Sequence, residues 1–213
     1  MIISIVNLKG GSGKTTVATN LTVALSRKFK TLLIDTDPQR SASQWFDVRE
    51  SENDNFSVIS IQEDKSLKKQ IPVFQSQYEH IIIDGAPQSD RISAICIYAA
   101  DLVIIPVMPS PYDLWATASI LERVSATKEI QPDKKAFFLL NRVNDKATLS
   151  KDTAEALSSL GYPVFNTKLH NRIAYADSAS CGLSVLEASN PKAKAEMESL
   201  YTEIKPLLKG KRK

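Results

Sequence analysis

The stretch of sequence that decides the fold reads Lys9-Gly10-Gly11-Ser12-Gly13-Lys14-Thr15-Thr16. It follows the apolar, β-branched run Ile2 to Val6 and leads into a helical pattern in which Val17, Leu21 and Leu25 share one face. Glycines at such a turn let successive backbone N–H groups point toward an anion, and the helix N-terminus adds partial positive charge. The stretch therefore predicts a phosphate-binding loop between a strand and a helix.

Two side chains of this loop have the chemistry that a bound nucleotide requires. Lys14 would reach the β- and γ-phosphates, and Thr15 would offer its hydroxyl to Mg²⁺. The common phosphate-loop pattern begins with glycine, whereas Leu8 occupies that position here. Because the strand-to-helix context is the one that the motif needs, we still predict a nucleotide site at residues 9 to 16.

Further short apolar runs along the chain predict a sheet. The clearest are Thr31 to Ile34, His80 to Ile83, Leu102 to Ile105 and Ala136 to Leu140, and weaker ones are Phe56 to Ile61 and Pro163 to Phe165. Continuous apolar character is typical of strands that are covered on both faces. Strands that alternate with helical patterns predict an α/β fold with a doubly wound, mostly parallel sheet flanked by helices. Ligands of such sheets bind beyond the carboxyl ends of the strands.

Two segments lie outside this alternation. Ser51 to Gln77 is polar and poorly periodic, which predicts a surface excursion with one short helix. The last helix, Pro191 to Leu208, is predicted to dock on the core through one apolar face, formed by Met197, Leu200, Tyr201, Ile204 and Leu208. No repeat or linker divides the chain, so we predict a single domain over residues 1–213.

Composition excludes several classes of protein. The chain has 213 residues, of which 43% are hydrophobic and 24% charged, as in ordinary soluble domains. It has no apolar run of membrane-spanning length and no secretion signal, so we expect a cytoplasmic protein that does not enter a membrane. Cys96 and Cys181 are far apart and lack metal-ligand spacing, which argues against disulfide, zinc or iron–sulfur sites. Both cysteines are expected to be buried.

Carboxylates follow two of the predicted strands. The second strand runs into Asp35-Thr36-Asp37-Pro38-Gln39, and the His80 strand runs into Asp84-Gly85-Ala86-Pro87. Both motifs fall at the edge of the sheet where the phosphates are expected. Asp84 is suited to hold a water molecule on Mg²⁺, a hard cation that bridges phosphate oxygens.

These motifs, in this order, resemble the ParA/MinD superfamily of ATPases, whose phosphate loop has an additional lysine before its two glycines. The resemblance implies that Lys9 reaches the phosphates of a second copy in an ATP-dependent homodimer, where a cation stabilises the transferring phosphoryl group. It also implies that Asp37 orients or deprotonates the attacking water and that Asp35 supports Mg²⁺ through its hydration shell. Asn141 and Arg142 occupy the place where relatives contact adenine.

The chain near its C-terminus resembles the ParA segment that binds the DNA backbone. By this resemblance the DNA-binding residues are Lys168, Arg172, Lys192 and Lys194. From Leu160 onward there are nine Lys and Arg against five acids, although a basic end such as residues 209–213 would look the same if it were only solvated. No helix-turn-helix is evident, so nonspecific contacts to phosphates are expected.

Length and motifs are most similar to the small plasmid-partition ATPases. The resemblance implies a nucleoid-associated Mg-ATP switch that a cargo-bound, ParB-like adaptor stimulates to hydrolyse ATP and leave DNA. The cargo would be a plasmid, a chromosome region or a protein compartment. A MinD-like membrane-cycling ATPase and a metabolic amidotransferring or ligating relative are the alternatives. The segment Pro106 to Asp113 resembles a proline-rich ParA segment, and either a dimer surface or a plain connection fits it.

Overall fold

The computed structural model describes residues 1–51, 55–87, 89–144 and 149–208, and of residues 149–151 it describes only the helical backbone. The strands within this part are β1 (Ile2–Ile5), β2 (Thr31–Asp35), β3 (Phe56–Ser60), β4 (His80–Asp84), β5 (Leu102–Val107) and β6 (Lys135–Leu140). The helices are α1 (Lys14–Ser26), α2 (Ser41–Asp47), α3 (Asp64–Gln77), α4 (Asp90–Ala99), α5 (Pro111–Ile130), α6 (Leu149–Ser159), α7 (Ile173–Ser180) and α8 (Pro191–Ile204). A 3₁₀ turn, Lys205–Leu208, continues α8.

The six described strands form one parallel sheet in the order β3-β2-β4-β1-β5-β6. The predicted parallel, doubly wound α/β sheet is therefore confirmed. β1 lies between β4 and β5, with Ile3 paired to both Ile82 and Leu102. The chain leaves the carboxyl end of β1 directly into the glycine-rich loop, which places that loop at the middle of the sheet edge.

Helices cover both faces of the sheet. On one face α3, α4, α5 and α6 pack against alternate strand residues such as Ile2 and Ile81, and on the other α1, α2 and α8 pack against Ile3 and Ile82. Because both faces are covered, successive residues of β1, β2, β4 and β5 are all buried. This explains why these strands appear in the sequence as continuous apolar runs.

Of three predictions for the periphery, one is confirmed and two are wrong. The weak strand predicted at Phe56 to Ile61 is β3. The rest of Ser51 to Gln77 is not a surface excursion with one short helix, because it contains the 14-residue helix α3, which buries Leu67 and Ile71 in the core. Phe74 packs half-buried against the same core, and the other positions of α3 are polar or exposed and include Pro72, so only a narrow apolar stripe marks the helix. Pro163 to Phe165 forms no named strand and contributes only an isolated bridge from Val164 to Phe138.

The last helix docks on the core as predicted, although it is shorter. α8 ends at Ile204, and Met197, Leu200 and Ile204 are buried beside α1. The two cysteines differ: Cys96 is buried, as predicted, whereas the prediction for Cys181 is wrong because that residue is exposed. Among the helices of the described residues, none is both long enough and apolar enough to span a bilayer.

Candidate nucleotide-binding site

The glycine-rich loop has the shape and the free polar groups that an anion needs. Gly11 and Gly13 adopt φ values of 75° and 90°, and a Cβ on Gly13 would lie 1.9 Å from the amide nitrogen of Asn141. Gly13 is the N-cap of α1 and supplies no side-chain cap, so the first turn of α1 is open to a ligand. The hydroxyl of Ser12 is buried without a hydrogen-bond partner among the described residues. These features fit a bound phosphate.

Lys14 lies inside the loop rather than in solvent. Its side chain is buried, and its Nζ donates a hydrogen bond of 3.1 Å to the carbonyl of Lys9. Burial lowers the pKa of Lys14, while the carboxylates of Asp84 and Asp37 oppose that shift. An ammonium held in this way is partly desolvated and faces the loop, which suits contact with a phosphate.

Thr15 and Asp84 lie together where Mg²⁺ is expected. The hydroxyl of Thr15 donates a hydrogen bond of 2.7 Å to Asp84 Oδ2, and Oδ1 of the same buried carboxylate has no hydrogen-bond partner among the described residues. Mg²⁺ takes one or two protein oxygens and completes its shell with water and phosphate. The described residues contain no group of three or more His, Cys, Asp or Glu side chains that could hold a metal alone. The donor set therefore fits Mg²⁺ bound together with a nucleotide.

Burial raises the pKa of Asp84 to about 7. The hydrogen bond from Thr15 opposes this shift, and the nearby carboxylates of Asp35 and Asp37 add to it by smaller amounts. A folded-state pKa above the unfolded value means that the folded state binds the proton more tightly, so stability declines as the pH rises through 7. Without Mg²⁺ and nucleotide, we predict that Asp84→Asn is more stable than wild type at pH 8 by roughly 2 to 4 kcal/mol. At pH 5 the stability difference between Asp84→Asn and wild type should be smaller than at pH 8. Urea unfolding of both proteins at the two pH values measures it, and an equal difference at both would contradict the prediction.

Asp35 has a structural task in addition to the one predicted. Its buried carboxylate accepts hydrogen bonds from the backbone and hydroxyl of Ser43 at 2.8 and 3.0 Å and from the backbone of Asp37 at 3.1 Å. Both oxygens are thus occupied by the loop after β2 and by α2. This geometry gives Asp35 a positioning role, and its support of Mg²⁺ through the hydration shell stays a prediction. Asp37 is only half-buried, and its Oδ1 accepts from the backbone of Gln39.

The side chain of Lys9 is bound within its own chain. Its Nζ lies 2.5 Å from Oδ2 of Asp113, a fully buried residue in the first turn of α5, which also accepts a 2.8 Å hydrogen bond from the Ser110 hydroxyl. The other carboxylate oxygen of Asp113 has no hydrogen-bond partner among the described residues. To reach a second copy, Lys9 would have to leave this ion pair. The predicted site did not include Asp113, although an acid just after a proline at a helix start was visible in the sequence.

Asn141 and Arg142 lie beside the loop but differ in their surroundings. Asn141 is buried, and its side-chain amide donates a 2.7 Å hydrogen bond to the carbonyl of Ser12, which holds the backbone of the loop in place. Arg142 is exposed and has a positive φ of 54°. The amide of Asn141 therefore helps to shape the phosphate loop, and contact of either residue with adenine stays a prediction.

The basic residues near the C-terminus do not all form a free surface. Lys192 and Lys194 are exposed in the first turn of α8, and Lys168 is half-buried in a groove that Glu196 also lines. The guanidinium of Arg172 is paired with Glu196 Oε1 at 2.6 Å, and its contact with DNA stays a prediction. The sequence could not reveal this pair, which joins α8 to the segment before α7.

Comparison with known proteins identifies the family. Residues 3–185 match the family described as the CobQ/CobB/MinD/ParA nucleotide binding domain. The chain belongs to this family. ParA/MinD members are P-loop NTPases, which agrees with the phosphate loop described above, and the predicted membership is confirmed.

Individual ParA/MinD relatives match almost the whole chain. The 'maintenance of carboxysome distribution protein A' of Halothiobacillus neapolitanus is 28% identical over 96% of both chains. The protein of the same name from Gloeobacter kilaueensis is 31% identical over 95% of this chain and 91% of its own. The solved structure of an aspartate-to-alanine variant of Cyanothece McdA, in complex with ATP, superposes with a TM-score of 0.79 over 96% of both chains at 19% identity. The fold is thus that of a ParA/MinD P-loop NTPase.

Proposed function

We propose that this protein is a cargo-positioning ATPase of the ParA/MinD type, acting as one domain in the cytoplasm. Mg-ATP would bind at residues 9 to 16 and bring two copies together. The dimer would bind DNA nonspecifically on the nucleoid, and a ParB-like adaptor on the cargo would stimulate hydrolysis and release it. The cargo class includes protein compartments, because relatives over almost the whole chain are named for carboxysome distribution. It includes chromosome regions, because another relative is named a chromosome-partitioning ATPase, and plasmids remain in the class as the sequence resemblance implies.

The observation that carries this proposal is the pair of lysines on one phosphate loop. Lys14 is buried within the loop, whereas the side chain of Lys9 is one-third exposed and is held by the buried carboxylate of Asp113. Lys14 can therefore serve the phosphates of its own chain, while Lys9 would serve those of a second copy once it leaves Asp113. A nucleotide site with this second lysine is suited to couple ATP binding to dimerisation.

Hydrolysis needs a positioned water and neutralised phosphate charge. Asp37 is a half-exposed carboxylate two residues after the carboxyl end of β2. The hydrogen bond from its backbone N–H to the side chain of Asp35 fixes its loop. Thr15 and Asp84 would hold Mg²⁺, which supplies charge neutralisation at the phosphates. Lys14 would stabilise negative charge on the transferring group. Each role follows from a side chain at the carboxyl edge of the sheet.

DNA binding is proposed for the exposed lysines of α8. We predict that Lys192→Ala/Lys194→Ala weakens ATP-dependent binding to unrelated duplexes and lowers the slope of log K against log salt by about 0.9 for each lost phosphate contact. A matched control is Lys68→Ala/Lys69→Ala, which removes two exposed lysines from α3. Fluorescence anisotropy at several salt concentrations, with ATP and with ADP, measures both effects. Equal weak binding with either nucleotide would refute the DNA-binding part of the proposal.

Membrane cycling is the competing function, and the docking of α8 argues against it. The apolar side chains Met197, Leu200 and Ile204 are packed against the core, so this face of α8 is not available to lipid. Liposome flotation with ATP distinguishes the two functions. Co-flotation of the protein with anionic vesicles would favour the membrane-cycling function instead.

A further inference from the structure

The backbone of two arginines is unusual. Among the described residues, the non-glycine positions with positive φ are Arg40, at 56°, and Arg142, at 54°. The left-handed region disfavours residues that have a Cβ, and those that enter it are most often Asn or Asp. Both arginines follow the carboxyl end of a strand, β2 and β6, at the edge where the phosphate loop begins. Strained residues of this kind concentrate at functional sites.

Backbone hydrogen bonds to neighbouring residues hold Arg40 in this conformation, and its own side chain makes no contact within the described part of the chain that would stabilise it. Its backbone N–H donates to Asp37 O at 2.9 Å, and its carbonyl accepts from Gln44 N at 2.8 Å. Its side chain is exposed, does not cap α2, and makes no hydrogen bond or ion pair with any described residue. Glycine would fit this turn with less strain, so the structure itself gives no reason for an arginine.

The position of Arg40 supplies a reason. The turn that it closes begins at Asp37, and β2 pairs with β4 so that Asp35 lies opposite Asp84. The carboxylates of Asp37 and Asp84 are both close enough to Lys14 to influence its pKa. Arg40 is therefore a cation without a partner among the described residues, three residues after Asp37, on the edge of the sheet where the phosphate loop lies. A guanidinium is permanently charged and matches the geometry of phosphate oxygens with two parallel hydrogen bonds.

We propose that Arg40 binds the terminal phosphate of the bound triphosphate and thereby makes the site prefer ATP over ADP. This inference rests on the proposed function, because it assumes that the triphosphate occupies the glycine-rich loop. When the turn of residues 37 to 40 closes over the nucleotide, the guanidinium would contact the γ-phosphate, which ADP lacks. The strain in the turn would then serve to aim this side chain.

The test is the ratio of affinities for a non-hydrolysable ATP analogue and for ADP, measured by isothermal titration calorimetry. Arg40→Gly should bind the analogue about 10- to 100-fold more weakly, as expected for the loss of charge-assisted hydrogen bonds. Its ADP affinity should stay within about twofold, since the γ-phosphate contact is absent there. Arg40→Lys, which keeps the charge but not the paired hydrogen bonds, should lie between Arg40→Gly and wild type.

Thermal unfolding provides an independent readout. Because glycine accepts a positive φ, the melting temperature of Arg40→Gly should equal or exceed that of wild type. A lower melting temperature would contradict the claim that the side chain is retained for function. An unchanged affinity ratio in Arg40→Gly, with wild type binding the analogue, would overturn the role of Arg40 alone. Failure of wild type to bind either nucleotide would overturn the proposed function as well.

Discussion

Lys9→Ala is expected to bind ATP but to remain a monomer, whereas Lys14→Ala is expected to lose ATP binding and, with it, dimerisation. The difference follows from where the two ammonium groups lie: that of Lys14 is buried in the loop, and that of Lys9 is paired with Asp113 on a side chain that is one-third exposed. Light scattering with a non-hydrolysable ATP analogue reports the oligomeric state, and calorimetry reports binding. Lys28→Ala, which removes an exposed lysine just after α1, is the matched control.

Lys9→Ala also leaves the buried carboxylate of Asp113 without its ion pair. The melting temperature should therefore be measured on the same samples, because a buried charge that loses its partner destabilises the fold. A folded Lys9→Ala protein that still dimerises with the ATP analogue would refute the role of Lys9. Dimerisation of Lys14→Ala would refute the assignment of the phosphate loop.

Asp37→Ala is expected to bind ATP and dimerise normally but to hydrolyse ATP about 10²- to 10⁴-fold more slowly, the usual loss for a residue that handles the proton of the attacking water. The ATP-bound dimer should consequently accumulate. Phosphate release under single-turnover conditions measures the rate, and light scattering measures the dimer. The matched control is Asp47→Ala, which removes an exposed carboxylate at the end of α2. Wild-type turnover in Asp37→Ala would remove this residue from the mechanism.

Much of the fold is visible in the sequence because burial on both faces of a sheet leaves a local signature. Each central strand is a continuous apolar run, and the glycine-rich loop lies between a strand and a helix. The length of α3 and its place in the core could not be predicted, because the helix buries few residues, chiefly Leu67 and Ile71, and its other face is polar and includes Pro72. A helix that buries so few side chains has a weak apolar periodicity in the sequence.

The side-chain partners within the site were harder to predict because they join distant parts of the chain. Lys9 and Asp113 are 104 residues apart, and only the adjacency of β1 and β5 brings them together. Likewise the sequence gives no sign that Arg172 is paired, because its partner Glu196 lies 24 residues later, on α8. Motifs indicate which residue types meet at a sheet edge, whereas the pairing of their charges depends on the packing of separate elements.

The central claim is that Lys9 exchanges a partner in its own chain for the nucleotide of a second copy. A crystal structure of the protein with Mg²⁺ and a non-hydrolysable ATP analogue tests this most directly. We expect two copies facing each other across two nucleotides, with Lys9 Nζ released from Asp113 and within hydrogen-bond distance of a phosphate bound to the other copy. A nucleotide-bound monomer in which Lys9 still contacts its own Asp113 would contradict the account.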